Sequence, residues 1–132
     1  LQDLIPFRVY PLPYIKNEHE LVDIYNAVDL FVIPSLEENL PNMVMEAMSC
    51  GVPCVGFNTG GIPEMIDHLH NGYVAQRKSS EDLANGIHWV LTEPEYAELS
   101  AQACRKAIGN YSESIIAKKY TDVYNKITGK YA

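Results

Sequence analysis

Three short apolar runs recur along the chain: LFVIP at residues 30–34, PCVGF at 53–57 and GYVA at 72–75. Each is followed by residues with helical periodicity. Runs of this length without polar alternation fit strands covered on both faces, as in a parallel sheet. Strands that alternate with helices pair in parallel through right-handed crossovers. The chain therefore reads as α/β, a doubly wound parallel sheet with flanking helices. FRVYPL at residues 7–12 reads as one more short strand, which brings the expected sheet to about four strands.

The helical segments carry their own end signals. ELVDIYNAVD sets Leu21, Ile24, Tyr25 and Val28 on one face, the 3.6-type spacing of a half-buried helix. A second helix is expected from about Pro41 to Cys50, with Gly51 as its C-terminal glycine. TGGIPE reads as a tight turn opening a short helix. Ser80 is expected to cap EDLANGIHWVL, with Leu83, Ile87, Val90 and Leu91 facing inward. Pro94 opens the next helix. Ser112 caps the last one, whose stripe is Ile116, Tyr120, Val123 and Ile127.

Composition removes several classes of function. A chain of 132 residues, 47% hydrophobic and 20% charged, is one globular domain or part of one. Its formal charge of −7 and lack of a basic stripe argue against nucleic acid as partner. No apolar run nears the roughly 18 residues of a membrane-spanning helix, and the start lacks a signal-peptide pattern. Cys50 and Cys54 have no second pair downstream, so zinc is not expected and the cysteines read as buried free thiols of a cytosolic protein. His68 and His70 read as a solvated loop. Lys118, Lys119 and Lys126 read as a solvated helix face, and Tyr111, Tyr120 and Tyr124 as core and rim.

Chemistry concentrates in PSLEENLPNMVMEAMSCG at residues 34–51. This stretch is a turn at the carboxyl end of a parallel strand and the helix that follows, where open α/β sheets bind ligands. First-turn amides of such a helix lack internal partners and form an anion site. Glu46 lies roughly 7 Å further along the axis, about the separation of a diphosphate and its ribose. It is flanked by Val44, Met45, Ala47 and Met48, which leaves little polar face for a merely solvated glutamate. Two carboxylate oxygens can accept from two ribose hydroxyls. Glu38, in the loop, would face whatever is attached beyond the diphosphate.

The run PSLEENLPNMVMEAMSCGVPCVGFNTGGIPEMI resembles the retaining nucleotide-sugar glycosyltransferases of the GT-B fold, family 4. Glu38 and Glu46 have the family's spacing, and Ala47, Cys50, Gly51, Pro53, Gly60, Gly61, Pro63 and Glu64 fall in step. ELVDIYNAVDLFVIPS and ACRKAIGNYSESIIAKKYTDVY are similar to the segments that precede and close this region. Where many members carry Gly-Phe-Gly, this chain has Asn39-Leu40-Pro41.

The resemblance implies a Rossmann-like partial C-terminal domain of a GT-B fold, with residues 1–132 forming part of the donor-binding domain. An N-terminal acceptor domain and the first strand–helix units, which supply an Arg and a Lys for the diphosphate, would lie outside it. Glu38 would be the catalytic glutamate, holding a hydroxyl of the donor sugar. Glu46 would hold the ribose, and Asn39, Leu40, Pro41, Asn42 and Met43 would meet sugar and diphosphate.

The longer enzyme would transfer a hexosyl group from a UDP-sugar to a glycan or lipid-linked acceptor with retention, in bacterial O-antigen, lipopolysaccharide or capsule synthesis. It would need no cofactor and no metal, and would work in the cytoplasm or at the inner face of the plasma membrane. The isolated chain would be inactive. An unpaired sheet edge would favour either pairing of residues 7–12 with residues 30–33 or a homodimer. A nucleotide-sugar epimerase of the same fold and a non-catalytic nucleotide-sugar-binding module are the alternative readings.

Overall fold

The apolar runs become strands because neighbouring runs can satisfy one another's backbone groups. In a computed structural model that describes residues 2–129, a 3-10 turn at Gln2–Leu4 precedes α1 (Glu18–Asn26) and β1 (Phe31–Ile33). Then come α2 (Asn42–Ser49), β2 (Cys54–Phe57), α3 (Ile62–Met65) and β3 (Gly72–Ala75). Three helices finish the chain: α4 (Ser80–Thr92), α5 (Tyr96–Tyr111) and α6 (Glu113–Thr128). The sheet is parallel, in the order β1-β2-β3. Val32 sits opposite Val55, and Val55 opposite Tyr73.

Helix ends follow local chemistry. The Asn17 side chain accepts from the amides of His19 at 2.9 Å and Glu20 at 3.3 Å, and so caps α1. Ser79 caps α4 through the Asp82 amide at 3.1 Å. The cap therefore lies one residue before the expected one, and Ser80 is already the first residue of the helix. At the end of α2, Gly51 takes φ +74°, the left-handed conformation expected of it.

Alternation along β2 divides the core in two. Cys54 belongs to a cluster with Val44, Ala47 and Met48 of α2, Ile62 and Met65 of α3, and Ala103 and Ala107 of α5. Val55 points the other way, to Val90 of α4 and Leu99 of α5. Helices thus cover both faces of the sheet, as the sequence predicts.

Several expectations are corrected. Residues 7–12 form no strand and do not pair with β1. Phe7, Tyr10 and Leu12 are exposed, and Pro6, Pro11 and Pro13 around them lack the amide donors a ladder requires. The sheet has three strands among the described residues, and β1 is an edge.

Val28 lies beyond the end of α1 and is exposed, as is Leu91 at the end of α4. Most of the stripe on α6 faces outward: Tyr120 is 75% and Ile127 79% exposed, while Ile116 is half-buried. The helix packs mainly on α5 among the described residues. Lys119 is exposed but not merely solvated, since its ammonium donates to the Asn110 carbonyl at 3.1 Å. His68 is likewise engaged: Nδ1 accepts from the Val74 amide at 3.0 Å, and its ring meets Tyr73 edge-on. The three cysteines are free, and only Cys54 is fully buried.

Candidate functional site

The loops that leave the carboxyl ends of all three strands converge. The β1–α2 loop is held through its Leu36 carbonyl, which accepts from Thr59 Oγ1 at 3.0 Å in the loop after β2. The same oxygen accepts from Arg77 Nε at 3.2 Å and a terminal guanidinium nitrogen at 3.1 Å, from the loop after β3. Two residues on, the Gly61 amide donates to the Asn39 carbonyl.

Space explains the paired glycines. A Cβ on Gly60 would overlap the Glu38 carbonyl, and one on Gly61 the Asn39 carbonyl. Gly60 also holds φ +53°, where side chains are disfavoured. The Gly-Gly turn is therefore the floor against which the Glu38 loop is pressed.

Pro41 enters α2 as its N-cap with an extended backbone, one position earlier than a first-turn proline, and provides no side-chain cap. The amides of Val44 and Met45 both donate to its carbonyl, at 3.2 and 3.4 Å. Those of Asn42 and Met43 have no partner among the described residues, and both residues are exposed. This eight-residue helix thus opens with free amide donors and a positive dipole end.

Just over one turn further, Glu46 is half-buried. Its Oε2 accepts from the Tyr25 hydroxyl at 3.1 Å, a contact between the last turn of α1 and the middle of α2. Burial, and after it the Glu46 hydrogen bond and charge, pushes the Tyr25 hydroxyl far above its ordinary pKa, so it remains a donor. Burial, the Cys104 thiol and Glu46 also raise the Cys50 thiol.

Every residue singled out in the sequence lies on this one unit. Glu38 and Asn39 are in the stapled loop, Leu40 and Pro41 lead into α2, and Asn42, Met43 and Glu46 stand within it. Glu38 is half-buried and its carboxylate has no hydrogen bond among the described residues. Among the described residues no hydrogen bond links it to Glu46.

Arg77, Thr59 and Tyr25 were not anticipated. The rule that selects the loop after β1 applies equally to the residues after GYVA and so points to Arg77. Tyr25 was expected to face inward, and a buried phenol needs an acceptor. Nothing in the linear sequence designates Glu46 as that acceptor.

A hollow of about 190 Å³ lies elsewhere, between Trp89, Glu93, Glu98 and Gln102. At the start of α2, Asn42 and Met43 are exposed. Among the described residues no group of three or more His, Cys, Asp or Glu side chains could hold a metal ion. No helix among them is long and apolar enough to cross a membrane.

Comparison with known proteins gives a family match: a model described as Glycosyl transferases group 1 matches residues 6–108. The N,N'-diacetylbacillosaminyl-diphospho-undecaprenol alpha-1,3-N-acetylgalactosaminyltransferase of Campylobacter jejuni is 30% identical over 115 residues, 86% of this chain and 30% of that protein. The D-inositol 3-phosphate glycosyltransferase of Rhodococcus erythropolis is 33% identical over 112 residues, 84% of this chain and 25% of that protein. The chain thus spans 25–30% of the length of these relatives. Among solved structures, Anabaena HepE in complex with UDP-glucose superposes with a TM-score of 0.69 and 26% identity, over 78% of this chain and 29% of that one.

Proposed function

Because the chain belongs to the glycosyl transferases group 1 family, of the GT-B fold, we propose that it is the donor-binding part of a longer enzyme. That enzyme moves a hexosyl group from a UDP-sugar to a glycan or lipid-linked acceptor, with retention of configuration. The observation that carries this reading is the open N-terminus of α2 with the anchored Glu46 carboxylate just over one turn inside it. Free amides suit a diphosphate. A carboxylate at that depth suits the hydroxyls of the adjoining ribose.

Glu38, on the loop just before these amides, is assigned to a hydroxyl of the donor sugar. Diphosphate charge is met by the α2 amides and by basic side chains of the longer protein, so no metal or cofactor is required. HepE, solved with UDP-glucose, supports uridine diphosphate as the carrier. The Campylobacter relative, named for a diphospho-undecaprenol acceptor, supports a lipid-linked acceptor. Bacterial surface-glycan assembly on the cytoplasmic side is the setting we infer for the longer enzyme. Both curated relatives are named for sugar transfer, which favours transfer over epimerisation or a non-catalytic module.

Titration of the labelled chain with UDP tests the site. The amides of Asn39, Leu40, Asn42 and Met43 are expected to shift first, with a dissociation constant in the millimolar range, about −4 kcal/mol. Shifts confined to other regions would refute it. The outer edge of β1 is the corresponding place for a second copy or for the rest of the longer protein to pair. Sedimentation of the chain distinguishes monomer from dimer.

A further inference from the structure

We propose that Tyr25 is a positioning residue for Glu46, and that its hydroxyl sets how well the site tells a ribonucleotide from a deoxyribonucleotide. The inference rests on the nucleotide-sugar reading above and deepens it. Tyr25 is 4% exposed and ends α1 with its ring edge-on to Phe31, at a centroid distance of 6.2 Å. Burial and the Phe31 contact fix the ring before any ligand arrives. Its hydroxyl then reaches Glu46 Oε2 at 3.1 Å. The hydroxyl's raised pKa keeps it in the donor state at working pH.

A glutamate side chain is long and half-exposed here, so without an anchor its carboxylate samples many rotamers. With Oε2 tethered, the carboxylate samples fewer orientations. Oε1 accepts no hydrogen bond among the described residues, and Oε2 keeps a lone pair. Those remaining positions face a ligand in a defined direction. Bidentate acceptance from two neighbouring hydroxyls depends on that direction far more than binding of a single phosphate does. The tether therefore acts on the diol and leaves the diphosphate contacts at residues 39–43 alone.

The test compares wild type with Tyr25→Phe in NMR titrations of the 132-residue chain, using UDP, 2'-deoxy-UDP and inorganic pyrophosphate. Wild type is expected to prefer UDP over 2'-deoxy-UDP by about tenfold, roughly one charge-assisted hydrogen bond. In Tyr25→Phe that ratio is expected to fall to about two or less, with pyrophosphate binding unchanged. An equal loss for all three ligands would mean general loosening of α2 and would overturn the inference, as would an unchanged ratio.

A wild-type measurement keeps the question decidable if the variant unfolds. The Tyr25 hydroxyl proton should shift on addition of UDP and stay put with pyrophosphate; a proton unmoved by UDP while the α2 amides shift overturns the role. If wild type binds none of the three, the nucleotide reading itself fails and the inference falls with it.

Discussion

Arg77 reaches from beyond the end of β3 to the Leu36 carbonyl beyond the end of β1, and holds it with two guanidinium nitrogens at 3.2 and 3.1 Å. The loop after the strand between them contributes Thr59 to the same oxygen. One carbonyl thus ties three loops together at the carboxyl end of the sheet.

Removing that tie should loosen the Glu38 loop without unfolding the chain. Arg77 is exposed, so its two bonds are taken at about 1 kcal/mol together. Arg77→Ala is expected to speed amide exchange at residues 35–40 about fivefold. Arg77→Lys should restore little of this, because an ammonium lacks the planar fork. Exchange unchanged in Arg77→Ala would show that the loop is held by other contacts.

Two glycine substitutions should act in opposite directions. Gly60→Ala forces a Cβ onto the Glu38 carbonyl at a left-handed φ and is expected to cost roughly 1–3 kcal/mol. In Gly109→Ala the Cβ meets nothing within 4 Å on α5, and a gain of roughly 0.5–1 kcal/mol is expected from helix propensity. Thermal melts of the two variants give both signs.

Acid should weaken the junction of β3 and α4 through Asp82. The Gln76 amide at 2.6 Å, and then the Tyr73 hydroxyl at 2.8 Å, hold its carboxyl below the ordinary value. A depressed folded pKa contributes stability above the unfolded value, about 3.9, and that contribution is lost as pH falls through the folded value. Wild type should therefore melt above Asp82→Asn at pH 7, and the gap should close on acidification below about pH 4. A gap that persists to about pH 2 would assign the stability to something other than the carboxylate charge.

In the longer enzyme, Glu46→Ala is expected to lower kcat/KM about a hundredfold or more, the loss of two bonds to a charged acceptor. Glu38→Ala should reduce sugar transfer more than nucleotide binding. The 132-residue chain alone should not turn over, since orientation of acceptor against donor contributes roughly 7–11 kcal/mol. Near-normal activity in both variants would make the two glutamates structural.

What the sequence disclosed depended on how local the signal was. The three strands, the end of α2 at Gly51 and the turn at Gly60-Gly61 are written in adjacent residues, and each was found where expected. The partners of Leu36 and Glu46 come from residues 41 and 21 positions away, and no periodicity encodes such pairs. Residues 7–12 misled because apolar content was weighed above the neighbouring prolines. The stripe on α6 misled because spacing reports an amphipathic helix but not which surface it meets.

The sheet order has a kinetic consequence. Each strand pairs with the one before it in the chain, β2 with β1 and β3 with β2. During synthesis every new strand meets a partner that has already left the ribosome. About 20 residues separate successive strands, so at 5–20 residues per second a growing edge waits roughly one to four seconds. The sheet can grow in one direction at the pace of translation, and misassembly then becomes chiefly a hazard of the refolded chain.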